Sequence, residues 1–428
     1  MNLNGEAYKQ ALQERAEHLE PMQGLPSLID KIKDKRVVML GESTHGTEEF
    51  YLWRRLITER LLRDHGFAFV AVEGDWPNLQ VLNAYITRGE LESAAHAQRK
   101  IHRWPTWMWS NYQIEKLAEW MRKEKRGSIY GLDVYSLFDS IQAVLGYTRK
   151  LSPLVADAIR ERYACFDRFG GDEIAYARSL LSYPEGCERQ VVDNLMELLR
   201  LRVQDGRAVE PKLFDAIQNA TVVVNAERYY RAMLAGDESS WNIRDAHMTD
   251  TLELLLKQAG PESKAVVWAH NTHVGDYRAT DMVANGYVNL GGLARERLGR
   301  ENVALVGFSS HVGTLLAARA WGAPPEVMTL PESRTDSLEW HLHELAAGLG
   351  APALFITPAG DERLREVRGH RAVGVVYDPE HDRRGHYVPT MLSERYDVLV
   401  FVDESRALQS AVPIRVAGDV PETWPSGF

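Results

Sequence analysis

The stretch Val37–Phe50, VVMLGESTHGTEEF, decides the fold. Four successive apolar residues stop at a glycine, and a polar turn follows. A helical pattern then runs over Glu48–Asp64, with Phe50, Trp53, Ile57 and Leu61 on one face by the three-and-four spacing. A strand that is apolar at every position is covered on both faces, and a strand that feeds an amphipathic helix is the first half of a βαβ unit. The pattern repeats along the chain. Apolar runs bounded by glycine or charge occur at Val37–Leu40, Ala68–Val72, Ser128–Leu132, Ala265–Ala269, Val303–Val306, Ala353–Ile356, Ala372–Val376 and Val398–Val402. Together they predict an α/β fold with a largely parallel sheet sandwiched by helices.

The middle of the chain reads differently. From about Ser136 to Gln258 the patterns are helical: DSIQAVLGYTRKL, LVADAIRERYACF, ERQVVDNLMELLRLRV, LFDAIQNATVVVNAERYYRAML and AHMTDTLELLLKQA. The expected organisation is therefore a first α/β part over 1–135, a helical insertion over 136–261, and a second α/β part over 262–428.

Bulk properties narrow the function. The 428 residues are 45% hydrophobic and 26% charged, as in a water-soluble globular protein with a sizeable core. A formal net charge of −10 repels nucleic acid and anionic membrane, so the expected partner is a small molecule, with no nucleic acid and no membrane. The charged N-terminus has no apolar leader, and no run is long enough to span a bilayer, which gives a cytoplasmic expectation. Two cysteines, Cys165 and Cys187, build neither a disulfide framework nor a thiolate metal site, and a reduced setting is expected. Composition does not set the oligomeric state.

Chemistry collects at the strand ends. The first strand is followed by Glu42, Ser43, Thr44 and His45, the second by Glu73 and Asp75, the third by Asp133, and the fourth by His270, His273 and Asp276. In a parallel sheet these ends share one edge, where ligands bind. Histidine titrates near neutrality, so His45 is the candidate general base, with Glu42 or Glu73 to orient its ring. Arg54 falls on the buried face of the helix after His45 and needs an anionic partner there. Arg54 and a second histidine are the candidates to face negative charge developing on a substrate oxygen. Ser43 resembles the nucleophile of a G-x-S-x-G elbow, but His45 stands where the tight turn demands glycine. Two histidines and two carboxylates also suit a metal, although His270-x-x-His273 is not the H-E-x-x-H pattern. The segment His102–Tyr112, HRWPTWMWSNY, reads as core packing around a proline or as an aromatic wall built from Trp104, Trp107 and Trp109. His386 and Tyr387 lie in a polar stretch near the end.

Four of these segments, L-G-E-S-T-H-G-T-E-E-F, G-F-x-x-V-A-V-E-G-D-W, W-P-T-W-M-W and W-A-H-N-T-H-V-G-D, resemble the erythromycin esterase family. R-Y-A-C-F-D and G-H-Y extend the likeness through most of the chain and look most like the family's broad esterase-like branch. The resemblance implies an α/β hydrolase with a helical insertion that needs no metal or other cofactor. It places the family's general base on His45, its glutamates on Glu42 and Glu73, its arginine on Arg54, and its later histidines on His270 and His273. The expected activity is cleavage of an ester or lactone, macrolides being the substrates of the family's resistance enzymes. Two rivals stand beside it: a metal-dependent hydrolase built on the same His/Glu cluster, whose G-E-x-x-H corner distantly resembles TIKI-type metalloproteases, and a non-catalytic binding protein that keeps the cleft.

Overall fold

Among the described residues eleven strands organise the fold: β1 (Ala16–His18), β2 (Val37–Leu40), β3 (Phe67–Asp75), β4 (Ile129–Asp133), β5 (Lys264–Trp268), β6 (Val303–Ala318), β7 (Pro325–Leu330), β8 (Ala353–Ile356), β9 (Arg368–Arg371), β10 (Tyr387–Thr390) and β11 (Val398–Ser405). The structure, a computed structural model, describes residues 3–20, 24–205, 210–234 and 239–411; the end of the expected second α/β part, 412–428, lies outside them. The main sheet runs β1-β8-β11-β6-β2-β5-β3-β4, with β7 hydrogen-bonded to the far half of β6. From β11 to β4 every neighbouring pair is parallel, while β1, β8 and β7 add antiparallel pairs at one side. The fold is the expected α/β class, with a large, mostly parallel sheet flanked by helices.

The two covers of the sheet are visible residue by residue in β2. Val38 and Leu40 pack with Phe50, Trp53, Ile57 and Leu61 of the helix Glu48–Asp64. Val37 and Met39 face the other way, towards Leu252, Leu255 and Leu256 of the helix Ser239–Ala259. That is why β2 lacks the apolar–polar alternation of a half-exposed strand. Between β4 and β5 the described residues are helical, and Val144, Tyr163, Tyr176, Val223 and Tyr230 belong to a separate apolar core there.

Three expectations need correction. The run Ala372–Val376 is not a strand. Val373 N–H donates to Ser43 O at 2.7 Å and Ala318 N–H donates to Val375 O at 2.9 Å, leaving only isolated bridges. The run is apolar because it lies buried over the turn that follows β2, and burial of either kind selects the same side chains. Strands β1, β7, β9 and β10 escaped the sequence reading because they are short and partly exposed, which mixes polar residues into them. Finally, Cys165 and Cys187, for which the sequence favours a reduced setting over a single bridge, are joined in a disulfide.

Candidate active site

The turn after β2 is tied down at nearly every carbonyl. Glu42 O accepts from Asn271 N–H at 2.8 Å, and Gly46 O accepts from Leu316 N–H at 2.9 Å and Leu408 N–H at 2.8 Å. A Cβ on Gly46 would sit 1.8 Å from Leu316 O, so only glycine lets the chain pass at that point. Held this way, His45 presents Nδ1 to Glu42 Oε1 at 2.9 Å. Glu42 Oε2 accepts from Arg54 Nη2 at 2.6 Å. The Arg54 guanidinium is fully buried, 4.2 Å from the centre of the Tyr51 ring and 4.7 Å from that of Trp268. The helix-face reading of Arg54 thus corresponds to its place, and its carboxylate partner is Glu42. An ionised Glu42 accepts the Nδ1 proton, which leaves the Nε2 lone pair of His45 to the cavity that the ring lines.

A second polar group adjoins the first. Glu73 Oε2 accepts the backbone N–H of His270 at 2.8 Å, and Glu73 Oε1 accepts from Arg244 Nη2 at 2.6 Å. Arg244 also grips Asp133 with two bonds, Nε to Oδ1 at 2.9 Å and Nη2 to Oδ2 at 2.8 Å. Its Nη1 lies 2.9 Å from His273 Nε2, to which it donates only while the ring is neutral. His273 is enclosed: Nδ1 faces Asp245 Oδ1 at 2.9 Å, and Trp241 stacks on the ring at 4.5 Å. The His270 ring lies 4.8 Å from the His45 ring, with Thr272 N–H donating to its Nδ1 at 3.3 Å.

These contacts set the charges. Burial pushes His270 well below the usual imidazole range, and the neighbouring His45 adds to the push, so the His270 ring is neutral. Burial works to raise Glu73, but the positive charge of His273 and Arg244 outweighs it and holds the carboxyl well below its usual range. For His273 burial favours the neutral ring, and the carboxylates of Asp245 and Glu73 overcome it, raising the pKa to about 9. When charged, the ring turns its Nε2 proton towards Glu73 Oε1, 3.4 Å away. A histidine raised from 6.5 to about 9 stabilises the fold fully below pH 6.5 and loses that contribution as pH rises through 9. The Tm advantage of wild type over His273→Gln should therefore shrink between pH 6.5 and 9. Scanning calorimetry of both proteins across that window checks it, and a constant difference would show that the ring does not titrate there.

The site opens into a cavity of about 440 Å³. His45, Glu73, Asp75, Asp133 and Arg244 reach it, together with Trp104, Trp109, Trp241, Tyr135 and Tyr387. The tryptophan-rich segment is divided between its two readings, since Trp104 and Trp109 are wall and Trp107 is fully buried core. His386 packs on Tyr377 and does not line the cavity, whereas its neighbour Tyr387 does.

Not every candidate reaches the cavity. Asp276 pairs with Arg278 and Arg295, away from the other strand ends. Arg54 lies behind Glu42 and is not part of the cavity wall, so it cannot touch a substrate oxygen as the sequence reading expected; the helix face that buries it encloses it completely. His270 and His273 are likewise enclosed and line no part of the wall. Their rings diverge, one towards His45 and the other between Asp245 and Arg244. Among the described residues no group of three His, Cys, Asp or Glu side chains is placed to hold a metal ion.

The sequence reading missed Trp241, Arg244 and Asp245. It began the last insertion helix at Ala246, but the helix starts at Ser239. The signal was present in W-N-I-R-D, whose tryptophan, arginine and aspartate fall on one helical face by the three-and-four spacing.

Comparison with known proteins gives the same assignment from another direction. The profile of the family described as "Erythromycin esterase" matches residues 62–405. The erythromycin esterase type II of Escherichia coli is 23% identical over 336 residues, covering 72% of this chain and 75% of its own. Among solved structures, a succinoglycan biosynthesis protein superposes with a TM-score of 0.77 at 19% identity, covering 96% of this chain and 99% of that one. A mutant of the erythromycin esterase EreC in its open conformation superposes with a TM-score of 0.63 at 18% identity, covering 91% and 95%. At such identities the structures speak for the fold alone. Among the described residues no helix is long and apolar enough to cross a membrane. The chain, by the extent of the family match, belongs to the erythromycin esterase family of hydrolases.

Proposed function

We propose that this protein hydrolyses a carboxylic ester or lactone with water activated by His45. The observation that carries the reading is the chain Arg54–Glu42–His45, which ends on an imidazole at a cavity wall. Glu42 accepts the Nδ1 proton and so fixes the tautomer whose Nε2 is bare. Water placed between Nε2 and the ester carbonyl gives its proton to the ring as its oxygen bonds to the carbon. The carbonyl π electrons move onto oxygen. Collapse of this tetrahedral oxyanion expels the alkoxide, which takes the proton back from the imidazolium. Glu42 stabilises the imidazolium between the two steps, and the buried Arg54 holds Glu42 aimed. The apolar, aromatic walls suit a bulky substrate. The E. coli relative, named as an erythromycin esterase, supports an ester or lactone bond as the target.

The test is a broad screen of esters and lactones, macrolides included, with His45→Ala as the inactive control. Turnover of none of them by wild type would sink the reading. Turnover unchanged in His45→Ala would sink the mechanism.

Ser43 is not the nucleophile in this reading. Its hydroxyl is fully buried and has no hydrogen-bond partner among the described residues, so no base activates it. Ser43→Ala should keep roughly half or more of the wild-type rate, since the general-base contribution is untouched. A serine-directed phosphonate should leave no adduct on Ser43, and mass spectrometry of the treated enzyme reads this directly.

A further inference from the structure

Attack by water leaves a negative oxygen, and a site of this kind needs a donor aimed at it from within the cavity. The residues around the turn after β2 do not supply one. Arg54 is sealed behind Glu42, His270 is neutral and enclosed, and His273 is closed in by Asp245, Arg244 and Trp241. The guanidinium of Arg103, which also lines the cavity, forms ion pairs with Asp75, Asp139 and Glu173. Arg244 remains. It sits on the cavity wall, flanked by Glu73 and by the aromatic ring of Tyr135, whose centre lies 4.8 Å from the guanidinium carbon. Three of its five N–H groups are taken by carboxylates, Asp133 twice and Glu73 once, and Nη1 donates to His273 Nε2 only while that ring is neutral. One N–H of Nη1 has no partner among the described residues. Two carboxylates from two strand ends hold the guanidinium in place, so that donor loses little freedom when it meets a charge.

We infer that Arg244 is the catalytic residue that binds the oxyanion, donating its remaining Nη1 hydrogen to the substrate's carbonyl oxygen while His45 drives water onto the carbon. The inference rests on the ester-hydrolase reading above. It makes the helix Ser239–Ala259 a component of the reaction centre, because that helix carries Arg244. Carboxylates on Arg244 do not cancel the effect. They hold the planar group in register on the cavity wall.

The experiment compares Arg244→Ala, Arg244→Lys and the double variant Arg244→Ala/Asp133→Asn with wild type on the ester that wild type cleaves fastest. Loss of one oxyanion donor lowers kcat by about 10²–10³-fold, with KM changing far less. Arg244→Lys keeps the charge that Glu73 and Asp133 require, so it preserves the fold, but it lacks the planar fork and should still lose most of kcat. In the double variant one unpaired carboxylate is removed. If Arg244 served only to balance buried charge, this variant would regain the rate; the expected result is that it does not. Added guanidinium ion should restore part of kcat to Arg244→Ala and none to His45→Ala. Near-wild-type kcat in Arg244→Lys or in the double variant would overturn the assignment, as would failure of guanidinium to raise the rate of folded Arg244→Ala. These results leave His45 as base untouched. A wild type that cleaves no ester or lactone removes the reading and the inference together, so the two failures are told apart by the wild-type control.

Discussion

Replacing His45 by alanine should lower kcat by about 10²–10⁴-fold, the usual contribution of a positioned general base. The fold should survive, because the ring packs at a cavity wall and no buried charge is left uncompensated: Glu42 keeps its bond to Arg54. Circular dichroism and thermal unfolding of the variant check that half of the expectation, and steady-state kinetics on the best ester checks the other. More than about a tenth of the wild-type rate in His45→Ala would remove it from the role of base, since general-base assistance is rarely worth so little.

The largest effect on stability belongs to Arg54. Truncation to alanine leaves the Glu42 carboxylate inside the protein with only an imidazole beside it, and breaking a buried pair on one side costs on the order of 3–5 kcal/mol. It also empties the space between Tyr51 and Trp268, which the guanidinium fills. Urea unfolding of Arg54→Ala against wild type measures the loss. The double variant Arg54→Met/Glu42→Gln neutralises both partners at similar volume and should recover much of the stability while remaining slow, because His45 no longer has a carboxylate on Nδ1. Equal stability of Arg54→Ala and wild type would show that Glu42 finds another partner.

The fold and one half of the site were legible in the sequence for a shared reason: they depend on local spacing. The run Val37–Leu40, the glycine after it and the helix Glu48–Asp64 are consecutive, and the helix period alone turned Arg54 inward. The other half depends on tertiary pairing. Arg244 meets Glu73 across 171 residues and Asp133 across 111, and no spacing rule reaches so far. Burial also misled where it arises in two ways. The residues Ala372–Val376 are as apolar as a core strand because they cover the turn after β2, and hydrophobicity cannot distinguish covering a turn from joining a sheet. The Cys165–Cys187 bridge lay beyond the sequence reading because a separation of 22 residues is compatible with either state.

The clamped turn at Gly46 bears on how such a site can change by descent. A serine elbow at this place needs glycine where His45 stands, and the substitution that would free Ser43 for nucleophilic attack is the one that deletes the base. Conversely, Gly46 admits no side chain against Leu316 O, so the histidine cannot slide one place along to make room. Every single-step path from water activation to a covalent acyl-enzyme at this corner therefore passes through a protein with neither mechanism. The geometry of one turn keeps the two chemistries from sharing this corner.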